Sequence, residues 1–90
     1  MEISFDPEKR AWTLAERQLD FADAGRLLAG TVLTQEDDRF DYPEPRFQTY
    51  GWLDARLVLM VWTPTDGGIR GISMRNCHDK EHRRITPRLG

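Results

Sequence analysis

Between Ile72 and Arg84 the chain gathers Ser73, Arg75, Cys77, His78, Lys80, Glu81, His82, Arg83 and Arg84. An apolar strand pattern hands over there to a basic segment that carries both histidines of the sequence. Guanidinium groups take up charge that develops on a phosphate, and imidazole moves protons near neutral pH. A rigid strand-to-helix junction is a place where such groups are held in register. Chemistry on RNA phosphate would need such groups, and this run is where function is expected to sit.

His78 is the first candidate for proton transfer; its plainer role is a residue at a helix start making a cap-like hydrogen bond. Arg75, at the strand end beside it, either grips phosphate with two donors or pairs with Glu81 or with an acidic loop. Arg46, Gln48 and Tyr50 alternate onto one strand face, where Tyr50 either stacks on a base or sits half-buried in the sheet. Arg56 and Arg70 begin two strands and either border a groove or decorate turns. His82 lies one turn after His78, a spacing that metals use, but zinc needs three or four protein ligands, so no metal or other cofactor is expected. Cys77 is the only cysteine. It excludes an internal disulfide and reads as a small buried residue rather than a nucleophile. Trp12 and Trp62 read as core and Trp52 as surface.

The elements that must position these groups follow from pattern. Asp6-Pro7-Glu8 is a helix start, with Asp as cap, Pro at the first position and Glu at the positive end of the dipole. Trp12, Ala15 and Leu19 then give an apolar face, which predicts a helix over 7–18. Asp20 caps a second helix lined by Phe21, Ala24, Leu27 and Leu28 and stopped at Gly30. Four strands follow, at 31–35, 46–52, 56–63 and 69–75, joined by short turns that favour antiparallel pairing. The 57–62 segment is apolar enough for a central strand covered on both faces. The acidic stretch 36–45, with Pro43 and Pro45, is a constrained loop.

Ninety residues make one domain with a thin core, burying only about 60% of the unfolded surface. Any site should be an open groove rather than an enclosed pocket. No apolar run of about 18 residues and no signal-peptide pattern is visible, so a soluble, cytoplasmic chain is expected. The net charge of -2 is polarised: residues 1–69 carry seven Lys and Arg against thirteen Asp and Glu, residues 70–90 six against two. The basic end suits nucleic acid, an acidic partner or plain solvation.

The blocks Phe5-Asp6-Pro7-Glu8-Lys9, Asp20-Phe21, Asp38-Arg39-Phe40-Asp41-Tyr42, Arg46-Phe47 with Thr49 and Gly51, Arg56-Leu57-Val58 with Val61-Trp62-Thr63, and Ile72-Ser73-Met74-Arg75 with Glu81 come in an order that resembles the BrnT toxin family of type II toxin-antitoxin modules. The resemblance covers nearly the whole chain. It implies a RelE-like α+β fold, with two N-terminal helices packed on a four-stranded, mainly antiparallel sheet and a C-terminal helix. It also implies a metal-independent endoribonuclease that arrests bacterial growth, a BrnA-like antitoxin that neutralises it, and contact with operator DNA only through the antitoxin complex. Thr13 and Arg17-Gln18 stand where the family often has Asn and a His-Gly pair, so the first helix should run on or end without a glycine cap. Asn76 and Ile85 replace a second basic residue and a late aromatic.

Metal-free cleavage has the 2'-hydroxyl attack its own phosphorus, which requires a proton acceptor, a proton donor and charge stabilisation. On that reading Arg75, His78, Arg46 and Glu81 form the catalytic set, and Tyr50, Arg56, Arg70, Arg83 and Arg84 bind RNA. The other reading is a catalytically weak binding module that works as corepressor with its antitoxin.

Overall fold

The helix start at Asp6 forms as its sequence predicts. In the computed structural model, which describes residues 1–89, the Asp6 carboxylate accepts the Glu8 amide at 2.9 Å and α1 runs over Pro7–Arg17. It ends without glycine, on Gln18 in the left-handed region at φ 53°. The Asp20 carboxylate accepts the Ala22 amide at 2.9 Å, and a single 3-10 turn, Phe21–Asp23, leads into α2, Ala24–Ala29. After the strands comes α3, Asp79–Ile85, with a further 3-10 turn at Thr86–Arg88.

Five strands form the sheet, one more than expected: β1 (Glu2–Ser4), β2 (Val32–Glu36), β3 (Phe47–Leu53), β4 (Arg56–Thr65) and β5 (Gly68–Asn76), in the order β1-β5-β4-β3-β2. β2 to β5 pair antiparallel, whereas β1 runs parallel to β5 with Glu2 opposite Gly68. Three residues are too short to show an alternation, and their partners lie at the far end of the chain. Gly68 makes this pairing possible, because a Cβ there would collide with the Glu2 backbone. The α+β class stands, and the sheet is mixed.

β4 sits in the middle and sorts its side chains onto two faces. Val58 and Met60 join Leu19, Phe21, Ala24, Leu27 and Met74 under α2 in the main core. On the other face Leu57 and Leu59 pack with Tyr50 and Ile85 of α3. Truncating a residue such as Met60, which is fully buried, to alanine costs on the order of 2–5 kcal/mol. Trp62 is half-buried against the main core, and its indole N–H donates to Thr49 Oγ1 at 2.8 Å.

The first helix departs from the expected packing. Thr13 is its buried residue, and Trp12, expected in the core, is 53% exposed. The reason lies in what α1 covers. β1 shields only the Gly68–Arg70 end of β5, and α1 takes over beyond it: Lys9 Nζ donates to the Ile72 carbonyl at 3.4 Å and Arg17 Nη1 to the Met74 carbonyl at 2.9 Å. An open strand edge presents unpaired carbonyls, so the helix side that meets it is polar. Its apolar residues Ala11, Leu14 and Ala15 are left outside.

Candidate active-site groove

Residues directly opposite in an antiparallel pair project to the same face. On the α3 face this gives one row of Tyr50, Leu59 and Arg75, and a neighbouring row of Gln48, Val61 and Ser73. Helix α3 lies on the first row: Ile85 packs on Tyr50 and Leu59, Glu81 meets Arg75, and Arg84 Nη2 donates to the Tyr50 hydroxyl at 3.2 Å. On the second row, Val61 and Ser73 line a hollow of about 400 Å³. A bulge between Val61 and Trp62 leaves Ile72 out of the pairing and brings it into the same hollow. Bulges often re-aim side chains beside functional sites.

One wall of the hollow is α1, with Lys9, Trp12, Thr13 and Arg17, and the other is the 37–46 loop, with Asp37, Arg39, Tyr42 and Arg46. The loop is pinned at its ends, where Asp37 N–H donates to the Arg46 carbonyl at 2.7 Å and Thr63 Oγ1 to the Pro45 carbonyl at 2.6 Å. Inside it Arg39 holds the Asp37 carboxylate with two bonds of 2.8 Å. That contact keeps the buried Asp37 carboxyl below the usual carboxylate range and raises Arg39. Four cations against one carboxylate leave the hollow positive. A larger hollow of about 570 Å³, formed by the 36–46 loop itself, carries five carboxylates against two guanidiniums and would repel a phosphate chain.

Arg46 lies over the Tyr42 ring at 4.2 Å and reaches Glu44 only at 3.4 Å. Its Nε is buried with no acceptor among the described residues. An orphaned donor of this kind costs about 1–3 kcal/mol and calls for an explanation.

A second hollow, about 300 Å³, adjoins the first and shares Arg17 with it; Arg75, Asn76, His78, Glu16 and Gln18 complete its lining. Arg75 binds both oxygens of Glu81, at 2.7 and 2.8 Å. Glu81 also accepts the His78 amide at 2.8 Å, half of a capping box at the start of α3. Arg75 above all pulls the Glu81 carboxyl down to about 2, which makes it a poor proton acceptor. The plainer roles of both residues, an ion pair for Arg75 and a helix-start position for exposed His78, are thus present, and His78 also lines the hollow.

The remaining candidates are spread out. Arg56 lies on the opposite face and donates to the Gln18 carbonyl at 2.9 Å, closing the end of α1. Arg70 sits at the β1 end of β5, roughly 17 Å along the strand from Arg75. Tyr50 is buried beneath Arg84, whose guanidinium lies 5.5 Å from its ring centre, and Arg83 is exposed on α3. His82 packs edge-on against Trp52 at 6.0 Å rather than with His78. Burial pushes the Cys77 thiol up to about 11. Among the described residues no three His, Cys, Asp or Glu side chains come together as metal ligands, and no helix is long and apolar enough to cross a membrane.

The sequence reading missed Lys9, Arg17 and Arg39 because they lie in the part of the chain whose net charge is negative. Lys9, Thr13 and Arg17 are nonetheless spaced by four, the mark of one polar helix side. A small mixed sheet with a cationic groove on one face makes this a compact α+β domain. A family model described as ribonuclease toxin, BrnT, of type II toxin-antitoxin system matches residues 5–81. The chain belongs to the BrnT family of ribonuclease toxins, whose modules pair a toxin with an antitoxin. No curated protein matches it at a significant level.

Proposed function

We propose that the protein cleaves RNA without a metal, at the junction of the two hollows, and that a BrnA-like antitoxin neutralises it. The single observation that carries this reading is the hollow in which Arg75, His78 and Arg17 meet, open to solvent and continuous with further cations. His78 takes the proton of the 2'-hydroxyl, whose oxygen attacks the adjacent phosphorus. The bond from phosphorus to the 5'-oxygen breaks, and water in this open groove returns a proton to the leaving oxygen. Arg75 takes up charge on the phosphate through edges not committed to Glu81. Glu81 acts through Arg75, as a positioning residue. Arg46 and Arg84 add positive potential along the chain of phosphates, and operator DNA is met only through the antitoxin complex.

A second reading, a weak binding module that serves as corepressor, draws on the closed Arg75–Glu81 pair, which occupies both terminal nitrogens of Arg75. One experiment separates the two. With excess chelator, the purified chain should cleave an RNA oligonucleotide and spare the same oligonucleotide carrying a 2'-deoxy sugar at the scissile position. Binding without cleavage in both cases would favour the corepressor.

A further inference from the structure

Trp12 is an exposed tryptophan with one ring face already stacked. The Arg17 guanidinium lies 4.8 Å from its ring centre, yet the side chain remains 53% exposed, so the opposite face is open to solvent beside a positive hollow. Arg17 is itself held by the Met74 carbonyl, which fixes the stack without neutralising it. Neither Lys9 nor Arg17 has a carboxylate within ion-pair distance among the described residues. Across the hollow Arg46 adds a further cation, its guanidinium laid over the Tyr42 ring at 4.2 Å.

We propose that this hollow is a nucleotide subsite for single-stranded RNA, in which an unpaired base stacks on the open face of Trp12 and the flanking phosphates run along Lys9, Arg17 and Arg46. Open aromatic faces beside cations bind single strands, because every base has a π-face and every link a charge. A duplex keeps its base faces stacked on one another and cannot offer one to Trp12. A volume of about 400 Å³ suits one nucleotide, at the lower end of ligand-pocket sizes. Arg17 borders the hollow of Arg75 and His78 as well, so the subsite lies next to the scissile phosphate and selects the strand cleaved there.

The inference rests on the reading that the groove takes RNA, but its test does not need cleavage. Fluorescence anisotropy with a labelled, fully 2'-O-methylated oligonucleotide reports binding alone. Trp12→Ala should weaken binding about tenfold, and Trp12→Phe should restore most of it. A scan placing one abasic site at each position should show a single position whose loss hurts the wild type and is silent in Trp12→Ala. Lys9→Gln, at an exposed position, should instead lower the slope of log affinity against log salt by about 0.7. Equal affinity of wild type and Trp12→Ala, or an abasic profile unchanged by the substitution, would overturn the subsite even if the protein cleaves RNA. A Trp12 substitution that weakens only antitoxin binding would overturn it too and give the surface to the protein partner. Trp12-dependent binding without cleavage would leave the subsite standing and remove the catalytic reading.

Discussion

Arg75 and Glu81 meet in a two-bond pair across the junction of β5 and α3, with Nη1 to Oε1 at 2.7 Å and Nη2 to Oε2 at 2.8 Å. Since Glu81 also accepts the His78 amide, one carboxylate sets the positions of both proposed catalytic groups. Strand, helix start and site are thus a single unit.

Replacing Glu81 with Gln should therefore cost both stability and activity. Loss of the charge-assisted bonds should lower unfolding free energy by about 2 kcal/mol in a denaturant titration. Cleavage should fall further than the lost stability explains, mainly in kcat, because Arg75 and His78 lose a shared anchor while the outer groove keeps its cations.

The acid limb of stability has a defined window. Glu81 titrates at about 2 in the folded chain against an ordinary 4.5, so its contribution is complete above about 4.5 and is lost as pH falls towards 2. Asp37 is shifted the same way by Arg39. Linkage sets the Glu81 share at no more than about 3 kcal/mol. Melting temperature should drop steadily between pH 5 and 2, and Glu81→Gln should flatten that slope; a slope left unchanged would show that Arg75 holds Glu81 no better than water does.

Arg75→Ala should leave the chain folded but less stable by about 2 kcal/mol or more, because it breaks the same pair and leaves Glu81 without its cation, and should lower cleavage by about 10² to 10³. Circular dichroism and a cleavage assay on the same preparation check this. Full activity in a folded Arg75→Ala protein would remove Arg75 from the site.

Much of this arrangement was legible beforehand. Asp6, Asp20 and the turn residues placed the elements within one or two positions, since caps and turns act locally. The Arg75–Glu81 pair stood among the alternatives because both residues flank one junction. What escaped depends on contacts between distant segments. β1 is defined by a partner at the other end of the chain, and the facing of Trp12 depends on α1 covering a strand edge instead of a sheet face. A helical period locates an apolar stripe, but it does not say whether anything packs on it. Summed charge misled for the same reason: Lys9 and Arg17 were counted with acids that the fold sends elsewhere.

If antitoxin and RNA compete for the α3 side of the groove, reversing Arg83 and Arg84 to Glu should weaken both in parallel and reduce the salt dependence of both. Arg84 also loses its bond to the Tyr50 hydroxyl, so the fold is checked by melting. A double variant that loses RNA binding while keeping antitoxin affinity and its salt dependence would move the antitoxin elsewhere, to a surface such as the exposed apolar stripe of Ala11 and Leu14.

The chemistry of the cut ends tests the central claim most directly. RNA incubated with the purified chain in excess chelator and analysed by mass spectrometry should yield fragments ending in a 2',3'-cyclic phosphate and beginning with a 5'-hydroxyl, because the attacking oxygen is the RNA's own. The same analysis of His78→Ala should show those ends formed far more slowly. Fragments carrying 5'-phosphates, or cleavage that disappears with the chelator, would contradict the account, since the nucleophile would then be water or the reaction would depend on a metal.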